Sequence, residues 1–227
     1  LTIIIATGII LFLGRIMNLI GDKFIQGYFK LIEPLIEWFV KSGVHPNVVT
    51  WAGLFFTLVA ANFFRLGSFF FGGIFLVIAG TCDMIDGQVA RKTGKKSKFG
   101  AFFDSVIDRY SDIIIFLGIA VYFDKLYIHV LIILAITGSL LTSYTRARAG
   151  ALGIDCRVGL MQRPERITYI AGAAIADGLL GWLINALFGV ENLLIIAVLW
   201  FVAIVSHITV LQRIAHVKRE LESIDNE

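Results

Sequence analysis

The chain has 227 residues with a formal net charge of +3, and 58% of them are hydrophobic, above the roughly 45–50% of an ordinary soluble domain. With a mean hydropathy of +0.84, its natural solvent is the bilayer, and a water-soluble globule is excluded. Two isolated cysteines, Cys82 and Cys156, lack the paired spacing of a disulfide framework or a zinc site, and no nucleic-acid partner is expected.

In chain order, residues 1–22 are apolar as far as Gly14 and Arg15. They read equally as an extra span, a second interfacial helix or the remnant of a longer chain. Residues 23–42 follow as a juxtamembrane unit. There Phe24, Ile25, Tyr28, Leu31, Ile32, Leu35, Ile36 and Phe39 alternate with Lys30, Glu33, Glu37 and Lys41. This pattern predicts an amphipathic helix lying in the membrane interface, kinked near Pro34.

Residues 43–227 read as one all-α transmembrane domain. Apolar runs predict six spans, near 46–64, 69–90, 99–123, 127–147, 167–188 and 193–215, each close to the ~20 residues that cross a bilayer as a helix. The runs are too long for barrel strands and lack alternation. Pro46 and Pro164 stand just ahead of a span, where a helix tolerates proline. The basic residues orient this bundle. Lys92, Lys95, Lys96, Lys98, Arg146, Arg148, Arg163, Arg166, Arg213 and Lys218 all fall at one end, and only Arg65 and Lys125 at the other. The basic end is therefore expected to face the cytoplasm, where it meets anionic headgroups and phosphate-bearing substrates.

Four carboxylates stand where an apolar chain tolerates them least. Asp83 and Asp86 are three residues apart at the basic end of the second span, and Asp104 and Asp108 are four apart at the start of the third. Each spacing places both acids on one helical face, and the short basic turn between the spans brings the pairs face to face. A charge at mid-bilayer costs at least ~2.5–3.5 kcal/mol, so four acids call for compensating positive charge. All-oxygen ligation favours Mg²⁺ or Mn²⁺ over Zn²⁺, and two ions could share the four acids. Gly87 and Gly100 let a backbone or bulky ligand approach the metals, and Arg91 offers a guanidinium to a phosphate. Singly, each acid could merely solvate the interface. A transporter with an acidic site also places carboxylates in spans, though it does not explain the accompanying Gly, Ala and Arg.

The run D-x-x-D-G-x-x-A-R, eight residues, then G-x-x-x-D-x-x-x-D is matched at Asp83, Asp86, Gly87, Ala90, Arg91, Gly100, Asp104 and Asp108, and it resembles the signature of the CDP-alcohol phosphotransferase family. The resemblance extends from about Lys23 to the C-terminus. It includes Pro46-Asn47-Val48-Val49-Thr50, similar to the family's P-N-x-x-T. It implies an integral membrane enzyme, a homodimer, that joins a CDP-linked lipid (CDP-diacylglycerol or an ether-lipid analogue) to an alcohol and releases CMP. By the same resemblance Asp83, Asp86, Asp104 and Asp108 hold two Mg²⁺ or Mn²⁺ ions on the diphosphate, and Asp108 is the general base. Asn47, Thr50, Asp83, Gly87, Ala90, Arg91 and Gly100 line the CDP-lipid site.

Ser143–Ala149, followed by Arg163-Pro164-Glu165-Arg166, resembles the phosphatidylinositol-phosphate synthase branch. That likeness implies a phosphorylated acceptor held by Arg146, Arg166 and Arg213, with Arg146 standing where the branch more often has Lys. Inositol 1-phosphate is the first expectation and glycerol 3-phosphate the second.

Overall fold

The computed structural model describes residues 27, 28 and 30–225, and all regular structure among them is helical. The expectations for residues 1–22 and 23–26 lie outside the described residues. Helix α1 covers 30–41. It is followed by α2 (Pro46–Arg65), α3 (Phe69–Lys92), α4 (Lys98–Tyr122), α5 (Leu126–Ala151), α6 (Arg163–Phe188) and α7 (Leu193–Asp225). Short connections make successive helices antiparallel, so the N-termini of α2, α4 and α6 share one end with the C-termini of α3, α5 and α7.

Five helices, α2, α3, α5, α6 and α7, are long and apolar enough to cross a membrane. Helix α4 matches them in length at 25 residues but concentrates Asp104, Asp108, Arg109 and Asp112 between its N-terminus and its middle. The chain is an all-helical membrane protein. Trp51, Phe55, Leu117, Ile133, Leu183 and Ile204 point outward, each more than a third exposed, as a lipid-facing surface requires.

Helix α1 runs unbroken through Pro34. Ile32 and Ile36 are buried with Val49, Ile85 and Val89, which seats α1 on α2 and α3. Tyr28 Oη lies 2.5 Å from Thr81 Oγ1.

Two helix ends depart from the apolar pattern. Helix α6 begins at Arg163, one turn before the expected 167, because Gln162 and Glu165 form a capping box and Pro164 sits in the first turn. Both Arg163 and Arg166 thereby become helical. Helix α7 continues to Asp225 instead of ending near 215. Its polar tail is supported by the i, i+4 pairs Lys218–Glu222 at 3.5 Å and His216–Glu220 at 4.0 Å.

The core joins all six long helices through residues such as Phe64, Leu76, Phe116, Leu131, Ile170 and Leu199. Helices α2 and α4 approach so closely that a Cβ on Gly118 would stand 2.5 Å from the Ala61 carbonyl oxygen. Small residues permit such contact where hydrophobic exclusion from water no longer drives helices together. Gly118→Val should therefore push α4 off α2 and lower the thermal midpoint in detergent by an amount equivalent to at least ~1–3 kcal/mol. An unchanged midpoint in a melting series would contradict this crossing.

Candidate active site

Antiparallel packing of α3 and α4 onto α2 brings the acids together. One carboxylate oxygen each from Asp83, Asp104 and Asp108 lies within 4.8 Å of the others. Asp86 is adjacent but outside this set. Its Oδ2 accepts a 2.5 Å hydrogen bond from Thr50 Oγ1, and its side chain is buried. Thr50, expected to line the nucleotide site, thus orients a carboxylate. Asp104 Oδ1 is buried and has no hydrogen-bond partner, an expensive state for a carboxylate oxygen. An oxygen-liganded cation among these three groups would satisfy it, so the residues fit a hard divalent ion.

Two residues that the motif does not include complete the cluster. Arg163, from the first turn of α6, places Nη1 2.9 Å from Asp83 Oδ2 and 2.9 Å from Asp108 Oδ1. Its Nε donates to Asp112 Oδ1 at 3.3 Å. Asp112, 4% exposed, also takes Arg166 Nη2 at 2.7 Å, and Arg166 is itself 1% exposed. Sequence reading assigned Arg163 only to the basic end and passed over Asp112. The available signal was the run Asp104, Asp108, Asp112 at successive four-residue steps, a single stripe on α4. Five carboxylates, Asp83, Asp86, Asp104, Asp108 and Asp112, therefore gather near three guanidiniums, Arg163, Arg166 and Arg109, the last 3.7 Å from Asp108, leaving an excess of negative charge that cations would balance.

The remaining motif positions surround this centre. A Cβ on Gly87 would meet nothing nearer than Arg91 Nη2 at 3.9 Å, so this face of α3 is open to a ligand. Ala90 and the exposed Arg91 lie one turn along the same helix. Asn47 Oδ1 would be 3.7 Å from a Cβ on Gly100, and Gly100 N–H donates to the Ser97 cap at 2.9 Å. The start of α2 and the start of α4 thus flank the acids together.

Beyond Arg166 lies a second basic group. Arg146 and Arg166 are each near enough to Arg213 to repel it electrostatically. Arg146 is exposed, whereas Arg213 is 2% exposed. Arg213 Nε donates to the Val158 carbonyl at 2.9 Å and its Nη1 to the Thr142 carbonyl. Three further α7 side chains hold the same α5–α6 loop. Thr209 Oγ1 accepts from Met161 N–H at 3.1 Å, Gln212 Oε1 accepts from Leu160 N–H at 3.1 Å, and His216 Nε2 lies 3.2 Å from the Asp155 carbonyl. One face of α7 therefore recognises the backbone of the loop that leads into Arg163.

Acids converging from two antiparallel helices, locked by guanidiniums at the basic end of a membrane bundle, define an integral membrane site for phosphate-group chemistry. The CDP-alcohol phosphatidyltransferase model matches residues 43–208, and the chain belongs to that family. It is a transferase of phospholipid biosynthesis, and the transporter alternative falls away. The chain is 33% identical to the phosphatidylinositol phosphate synthase of Streptomyces avermitilis, with 90% of this chain and 85% of the relative covered. It is 39% identical to the archaetidylinositol phosphate synthase of Pyrococcus horikoshii, with 84% and 93% covered. The Mycobacterium tuberculosis phosphatidylinositol phosphate synthase superimposes with TM-score 0.69 at 27% identity in its CDP-DAG-bound structure, covering 83% of this chain and 94% of that one. Its complex with manganese and citrate gives 0.70 at 28%, covering 81% and 87%.

Proposed function

We propose that the chain transfers the phosphatidyl or archaetidyl group of a CDP-linked lipid to the hydroxyl of a phosphorylated alcohol, inositol 1-phosphate first and glycerol 3-phosphate second, releasing CMP. The observation that carries this reading is the convergence of Asp83, Asp104 and Asp108 from two helices. These three form the ligand set for one Mg²⁺ or Mn²⁺, and Asp86 supplies the fourth carboxylate for a second. When bound, such ions neutralise charge on the diphosphate and on the departing CMP.

The chain's own residues do the rest. Asn47, Gly87, Ala90, Arg91 and Gly100 receive the CDP-lipid, with Thr50 holding Asp86 in register. Asp108 takes the proton from the acceptor hydroxyl as that oxygen bonds to the lipid-linked phosphorus and the bond from phosphorus to CMP breaks. Arg166 bonds Asp112 through Nη2, while its buried Nη1 has no partner and is available to the acceptor phosphate beside Arg146 and Arg213.

Residues 43–227 act as one transmembrane domain in which α4 is the sixth span. Its Ile115, Phe116 and Ile119 lie in the core and its charges cluster at the site. Helix α1, with Leu31 and Trp38 exposed beside charged residues, lies in the interface. The basic end, and with it the site, faces the cytoplasm. A homodimer rests on the family resemblance.

Proteoliposomes supplied with CDP-diacylglycerol and a panel of acceptors provide the test. CMP release should require inositol 1-phosphate or glycerol 3-phosphate, vanish with EDTA and return with Mg²⁺ or Mn²⁺. Full recovery with Zn²⁺ but none with Mg²⁺ would sink the all-carboxylate site.

A further inference from the structure

Asp112 stands one helical turn beyond Asp108 on α4, outside the family motif, and is nearly inaccessible at 4% exposure. Helix α4 packs on α2 and α5, while α6 packs on α3 and α7. The first turn of α6 therefore faces α4 across the site and reaches it through long side chains. Asp112 meets both of those side chains. Its Oδ1 accepts from Arg163 Nε at 3.3 Å, and its Oδ2 accepts from Arg166 Nη2 at 2.7 Å. The two arginines serve different subsites, Arg163 bridging Asp83 and Asp108 at 2.9 Å each and Arg166 turning its free Nη1 elsewhere.

We propose that Asp112 is a positioning residue that fixes the acceptor-phosphate arginine relative to the carboxylate cluster, so that the acceptor hydroxyl arrives at Asp108 in line with the lipid-linked phosphorus. This rests on the proposed reaction. The geometry gives the reason: a single carboxylate holds two guanidiniums through two different oxygens, so neither can shift without the other. A purely stabilising acid would need only one such bond. Misplacement of reacting groups by ~1 Å can cost about 10²-fold in rate, so this coupling bears on turnover and not only on stability.

The experiment uses the full chain in proteoliposomes with CDP-diacylglycerol, Mg²⁺ and inositol 1-phosphate. It compares the wild type, Asp112→Asn and Asp112→Glu by kcat, by KM for each substrate and by thermal midpoint. The asparagine variant turns an amide donor toward a guanidinium, so one arginine is released. Its kcat should fall about tenfold or more and its acceptor KM rise, with CDP-lipid KM little changed, a split that general destabilisation does not produce. The glutamate variant keeps the charge and folds, yet its extra methylene displaces both arginines. It should retain a near-native midpoint while still losing about tenfold or more in kcat. Isothermal titration of inositol 1-phosphate onto the CDP-lipid-loaded protein should show weaker binding in both variants, independently of turnover. Full activity in Asp112→Glu, a parallel change in both KM values that tracks the midpoint, or failure of both variants to fold would each assign Asp112 to stability alone and overturn the proposal. A wild type that releases no CMP with any phosphorylated acceptor overturns the underlying reaction as well, and is distinguished by the wild-type assay before any variant is made.

Discussion

Asp83→Asn, Asp104→Asn and Asp108→Asn should each reduce CMP release by more than the ~10- to 100-fold that changes to the outer shell of a metal site can cause. Each amide preserves shape but removes the charge that a divalent cation needs, and at Asp83 and Asp108 also the charge that holds Arg163. The three losses should differ in kind. Asp83 and Asp108 each lie 2.9 Å from Arg163 Nη1, so either change loosens the guanidinium, but only Asp108 is assigned the acceptor proton. The Asp108 variant should therefore retain CDP-lipid binding in a filter or fluorescence assay better than the Asp83 variant. Equal loss in both would refute that division of labour. Asp104 offers a third signature. Its Oδ1 is buried without a hydrogen bond and the carboxylate is crowded by Asp83, so in the absence of divalent ions Asp104→Asn should leave the thermal midpoint unchanged or raise it, because that repulsion and the desolvated charge are removed.

Arg166→Gln should raise the acceptor KM by about 10- to 100-fold, the equivalent of the ~1.5–3 kcal/mol carried by a charged hydrogen bond, and leave the CDP-lipid KM nearly unchanged. Arg213→Gln should raise the acceptor KM too, and both substitutions should lower the thermal midpoint, Arg166→Gln because the buried Asp112 loses an ion pair at 2.7 Å. Arg213 holds the Val158 and Thr142 carbonyls, and removing it leaves buried acceptors unsatisfied. Steady-state kinetics over both substrates, paired with melting curves, separates lost acceptor binding from lost stability. Efficient use of free inositol or serine by the wild type, with both substitutions silent, would overturn the acceptor assignment.

The sequence made the acidic centre legible because its parts are local. Asp83 with Asp86 and Asp104 with Asp108 sit at helical spacings, and a short turn returns the chain antiparallel so that both helices pack on α2, which brings the two pairs of acids together at one end. Arg163 was not legible in the same way. Its partners lie 80 residues away at Asp83 and 51 away at Asp112, and nothing in a positive-inside loop distinguishes a lipid-facing arginine from one that turns inward. The capping box at Gln162 and Glu165 was a readable cue that the helix starts early, since it places Arg163 on a helix rather than a loop. Asp112 continued a visible stripe, but burial decides whether such a stripe ends at the interface or enters the core. The length of α7 was hidden for another reason. Hydropathy marks only what the bilayer covers, whereas i, i+4 charge pairs sustain the helix beyond it.

The assembly of one charge cluster from α3, α4 and α6 also sets an order in time. Synthesis proceeds from the N-terminus, so Asp83, Asp86, Asp104, Asp108 and Asp112 emerge on α3 and α4 before Arg163 and Arg166 exist. During that interval the acidic hairpin has only Arg109, 3.7 Å from Asp108, as a native guanidinium partner. Its acids lie toward the end of the helices next to Lys92, Lys95, Lys96 and Lys98, where water and basic neighbours can carry the charge while α5 is made. Arrival of the first turn of α6 then replaces hydration with fixed ion pairs, which makes docking of α6 the step at which the nascent bundle commits to a closed, charge-matched interior.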